Sequence, residues 1–98
     1  MEAEVINQLN NTLNDLEKRS EDIRVYMDYQ GKKDRLEEVI GLSEDPELWN
    51  DPKRAQEIGK ERKILEGIVL TLDNIASGIA DNRMLIEMAV EENDEEGF

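Results

Sequence analysis

The sequence predicts an all-α fold, an antiparallel helical bundle. Apolar residues recur at alternating steps of three and four along two long stretches, the spacing of one helix face. The hydrophobic fraction is 38%, below the roughly 45–50% of an average globular chain. That suits long helices, each of which needs a single apolar stripe. Aromatics are few, one Trp, two Tyr and one Phe, so the aromatic-rich runs that favour strands are missing.

The first helix is expected over about 3–27, because Ile6, Leu9, Leu13, Leu16, Ser20, Ile23 and Met27 share one seam. Asp15 stands four residues before Arg19, a favourable helix pair. Asp28 and Gly31 are turn formers, and a shorter second helix is expected over about 30–43 with Leu36, Val39 and Ile40 inward. Glu44 to Asn50 has no period and contains Pro46, so it reads as extended or irregular. Asp51 then caps a helix and Pro52 takes its first position, where a missing N–H is harmless. This third helix is expected over about 52–79, on the seam Ala55, Ile58, Arg62, Leu65, Val69, Leu72, Ala76 and Ile79. Gly59, beside that seam, is read as permitting a close approach, and Gly67 and Gly78 as tolerated surface glycines. Asp81 is read as the cap of a short last helix over about 82–92, with Met84, Leu85, Met88 and Ala89 inward. The 98 residues make one helical-bundle domain of ordinary size. Residues 91–98, mostly acidic, read as a linker that frays.

Lengths arrange these elements. The two long helices are near 40 Å, while the second is about 20 Å and needs the following segment, extended, to match them. The chain then runs up, down as helix plus extended segment, up, and partly down. Trp49 lies in the stretch that lacks a helix. It is read as a core plug against Leu9, Leu13 and Ile58, in preference to a partner-binding anchor.

Charge and composition exclude several functions. Asp and Glu number 25 against 12 Lys and Arg, a formal charge of −13. Nucleic-acid binding needs a basic surface, so direct RNA or DNA contact is not expected, and anionic lipid is disfavoured too. A basic protein partner is favoured. Without cysteine or histidine, disulfides, thiolate zinc sites and imidazole bases are excluded. The start of the chain lacks a signal-peptide pattern and no apolar run reaches a membrane span, so the expected location is cytoplasmic. No calcium loop, phosphate loop or nucleophile–base set is present, so neither a cofactor nor enzymatic activity is expected. Lys32, Lys33 and Arg35 form a basic island that can meet a partner, as do Lys60, Arg62 and Lys63. Solvated ion pairs with Asp34, Glu37 and Glu57 are the favoured reading of both.

Arg24-Val25-Tyr26-Met27-Asp28-Tyr29-Gln30-Gly31-Lys32-Lys33-Asp34-Arg35-Leu36-Glu37-Glu38-Val39 is followed by Leu48-Trp49-Asn50-Asp51-Pro52-Lys53-Arg54-Ala55-Gln56 and then Gly59-Lys60-Glu61-Arg62. In this order and spacing the chain resembles the N-terminal domain of the bacterial peptide chain release factor 2 family. The resemblance covers most of residues 16–98 and is weak over the first fifteen. Trp49-Asn50-Asp51-Pro52 is its specific part. It implies a domain excised from a longer factor that reads UGA and UAA and triggers peptidyl-tRNA hydrolysis. The Ser-Pro-Phe and Gly-Gly-Gln motifs that the family uses for this are both missing from the sequence. The resemblance further implies docking on a stalk-base protein of the large ribosomal subunit and a part in the action of the class II release-factor GTPase. Met27 stands where many members have Leu before Asp, so a programmed frameshift at that junction is not expected. A free-standing acidic helical adaptor, or a coiled-coil oligomer, is the alternative from a different class.

Overall fold

The computed structural model describes residues 2–95. Within them the chain is all-α: helices α1 (Ala3–Tyr26), α2 (Tyr29–Ser43) and α3 (Pro52–Glu95), with a short 3-10 turn (Pro46–Asn50) before α3. It divides into two compact units, Arg24–Asp73 and the residues on either side, up to Ile23 and from Asn74 onward.

The Arg24–Asp73 unit holds the better-filled core. Val39 is 0% exposed and packs with the buried Ile58 and Leu65, while Leu36, Leu42 and Leu48 close over them. Val69 and Leu72 are buried as well. A fully buried aliphatic side chain of this size stabilises by about 1.5–3 kcal/mol. Tyr29 meets Asp73 and Arg35 meets Glu61, so numbers rise along α2 as they fall along α3 and the two helices are antiparallel.

The other unit packs most of α1 on the last part of α3. Leu13 and Ser20 of the predicted seam are buried in it, whereas Leu9, Leu16 and Ile23 stay more exposed. Arg83 of α3 reaches Glu17 at 2.9 Å and Asn14 at 2.7 Å on α1. Asp15 and Arg19 pair on α1 at 3.0 Å.

Several expectations are corrected. No separate last helix exists over 82–92: α3 runs unbroken for 44 residues, and Asp81 lies inside it. Nothing near residues 79–82 breaks a helix, and the three-four stepping continues from Ile79 through Arg83, Ile86 and Val90. Those residues are half-buried, while Met84, Leu85 and Met88, expected inward, are exposed. Glu44 to Asn50 is not extended. Asp45 caps the 3-10 turn there by accepting from Glu47 N at 3.0 Å. The acidic run is helical through Glu95, and Glu96, Gly97 and Phe98 of the expected linker lie outside the described residues. A Cβ added at Gly59 would meet nothing within 4 Å, so no close approach explains that glycine.

Candidate functional site

The Arg24–Asp73 unit brings together the residues that the sequence singles out. Its first feature is the elbow between α1 and α2. Asp28, two residues past the end of α1, adopts the left-handed conformation, φ 51° and ψ 57°, and α2 begins at the next residue; Asp tolerates this better than most side chains. Its N–H donates to Val25 O at 3.1 Å. Lys32 Nζ donates to Met27 O, so this cation satisfies a helix-end carbonyl. The Asp28 carboxyl folds over Gly31, where an added Cβ would lie 2.8 Å from Asp28 Cγ.

Arg24 and Tyr29 tie the elbow to α3. The Arg24 guanidinium lies 3.7 Å above the Tyr29 ring centroid, a cation–π contact, and its Nη1 donates to Leu72 O at 3.3 Å. Tyr29 Oη donates to Asp73 Oδ1 at 2.6 Å. Beside them an open groove of about 340 Å³ is lined by Arg24, Val25, Asp28, Tyr29 and Gln30. Val25 and Tyr26 are both exposed.

The basic island does not present three matching cations. Arg35 forms a forked pair with Glu61, Nε to Oε1 at 2.5 Å and Nη2 to Oε2 at 3.1 Å. It also pairs with Glu38 at 3.0 Å. The Glu61 hydrogen bond is the main reason that the Arg35 pKa rises above its ordinary value, and the same bond holds the Glu61 carboxyl below the ordinary carboxylate range. A lowered carboxylate belongs to an ion pair and not to a general acid. Lys33 is exposed. In the second island Arg62 pairs with Glu66 at 2.8 Å.

The segment before α3 is held at both ends. Asp45 caps the 3-10 turn with Pro46 in its first turn. Asp51 Oδ1 accepts from Arg54 N at 3.2 Å and Pro52 begins α3, the arrangement of an N-cap followed by proline at N1. Between these caps Leu48 turns onto the core. Trp49 is 76% exposed, which corrects the reading of it as a core plug. A 3-10 turn has about three residues per turn, so adjacent side chains diverge, and Leu48 takes the inward direction. A groove of about 240 Å³ beside Leu48 is lined also by Leu42, Asp45, Glu47, Asp51 and Arg54.

Sequence reasoning missed the Arg24–Tyr29–Asp73 tie, which joins residues far apart in the chain. It missed Arg83 as well, although the unbroken seam carried that signal. Leu48, an apolar residue within the 3-10 turn, was overshadowed by the larger tryptophan.

No family model matches the chain. It is 98% identical over all 98 residues to peptide chain release factor 2 of Neisseria meningitidis serogroup B and of Neisseria gonorrhoeae. It is 52% identical, again over its whole length, to peptide chain release factor 2 of an Acidovorax strain. The similarity includes the first fifteen residues, beyond the stretch that the motifs alone delimit. The chain spans 27% of the length of each of these curated relatives. Along its whole length, then, the chain matches the N-terminal 27% of peptide chain release factor 2.

Proposed function

We propose that this chain is the ribosome-docking part of a class I factor that terminates translation at UGA and UAA, with a stalk-base protein of the large subunit as its partner. Stop-codon reading and peptidyl-tRNA hydrolysis are functions of the rest of the factor, and the domain acts as a cytoplasmic binding module without a cofactor. The class II release-factor GTPase is a further partner. The observation that carries this reading is 98% identity along the whole chain to release factor 2. The formal charge of −13 supports a basic ribosomal protein as the contact in preference to bare RNA.

The test uses ribosomes programmed with a UGA codon. The chain is expected to sediment with them, to compete with the full-length factor, and to release no peptide alone. Peptide release by the chain, or absence of binding, defeats the proposal. The oligomer alternative has one observation in its favour: Met84, Leu85 and Met88 stand exposed near one another on α3. A solution mass of two chains that reverts to one with Leu85→Glu would support it.

A further inference from the structure

We propose that Trp49 and the acidic groove beside its turn form the docking anchor of this chain, and that the occupant is a basic protein surface that inserts an Arg or Lys side chain. This deepens the docking reading above and rests on it. Trp49 is 76% exposed although Leu48, its neighbour, reaches the core. An exposed indole leaves a large apolar area in water, and burying a tryptophan removes about 150–250 Å². The turn that displays it is stiff. The Asp45 carboxylate caps one end, Asp51 N donates to Leu48 O at 3.1 Å at the other, and the Asp51 carboxylate caps α3. A tryptophan displayed on a fixed turn loses little freedom when it docks.

Charge selects the occupant. The groove of about 240 Å³ carries the carboxylates of Asp45, Glu47 and Asp51 against the single cation Arg54. Glu44 adds a further carboxylate just before the turn. A guanidinium or ammonium group entering the groove meets the carboxylates that line it, while the exposed Trp49 on the same turn offers the partner surface an apolar contact. A phosphate backbone would meet repulsion at the same place.

Trp49 is the single tryptophan of the chain, so emission corrected with a parallel Trp49→Phe titration, which carries the ribosomal background, reports on this surface alone. The experiment titrates the chain with intact ribosomes, and separately with protein-free ribosomal RNA, and follows Trp49 emission, acrylamide quenching and sedimentation. The expected result is a blue shift and protection from quenching with intact ribosomes only. Trp49→Ala should weaken binding roughly tenfold or more, Trp49→Phe less, and neither should change the melting temperature appreciably. Binding with Trp49 still quenchable and Trp49→Ala equal to wild type overturns the anchor but leaves ribosome docking standing. Protection by RNA alone overturns the choice of a protein occupant. Failure of the wild-type chain to bind ribosomes overturns both readings.

Discussion

Trp49 and Leu48 differ in the direction they face, and their substitutions should differ accordingly. Trp49→Ala is expected to change unfolding free energy by less than about 1 kcal/mol, because most of the side chain is already in water. Leu48→Ala should cost about 1–3 kcal/mol, since it uncovers the cluster around Val39, Ile58 and Leu65. Urea denaturation of the two variants checks both, and a reversed order would show that the tryptophan is the plug after all. Gly31 and Gly59 make a second pair. Gly59→Ala should stabilise by up to about 1 kcal/mol, because helix propensity improves and the added methyl meets open space. Gly31→Ala should gain less than Gly59→Ala, because the exposed Asp28 carboxyl must rotate away from the position of the new Cβ. The cap at Asp51 was legible from Asp-Pro in the sequence, since an N-cap is a local interaction. The direction of Trp49 was not, because it depends on which neighbour the core of α2 and α3 accepts.

Among the elements, α3 departs most from the sequence reading. Asp81 followed by helical residues has the form of a cap, yet Asp81 lies inside a 44-residue helix. Capping propensity is worth about 1 kcal/mol, whereas a break would forfeit the packing of Ile86 and Val90 and the reach of Arg83 to Glu17 and Asn14. Asn82→Pro separates the two descriptions. Proline at the first position of a separate helix would be tolerated. In a continuous helix it removes a hydrogen bond and clashes with the preceding turn, so a loss of about 3 kcal/mol is expected. Thermal unfolding followed by circular dichroism measures it. The helix starts at Pro52 and Tyr29 were legible to within a residue, because turn chemistry and periodicity agreed there.

For the whole molecule the governing quantity is charge, 25 acidic against 12 basic residues. Surface ion pairs soften the resulting repulsion, and the Arg35–Glu61 fork joins α2 to α3. Its pH dependence has a definite sign. The Glu61 pKa is lowered from its ordinary value of about 4.5, chiefly by the hydrogen bond from Arg35. The pair therefore stabilises above that ordinary value and is lost as pH falls through the lowered one. Glu61→Gln should be less stable than wild type at neutral pH, and the difference should shrink as the pH drops below about 4.5. Urea midpoints across that range test this, and a gap that widens in acid would contradict it.

The sequence by itself determined the helical class, the inward positions of α2 and of α3 as far as Leu72, the caps at the start of α3 and the likeness to release factor 2. Each is written in local spacing or in a run of adjacent residues, and none depends on what lies across the molecule. The tertiary structure alone decided that Leu48 turns inward and Trp49 outward, that Lys32 and Arg35 are engaged within the chain, and that Arg24, Tyr29 and Asp73 meet. These outcomes depend on contacts between residues remote in sequence. Their energies become available only when α2 lies on α3, and at that point they outweigh the local preferences of the individual side chains.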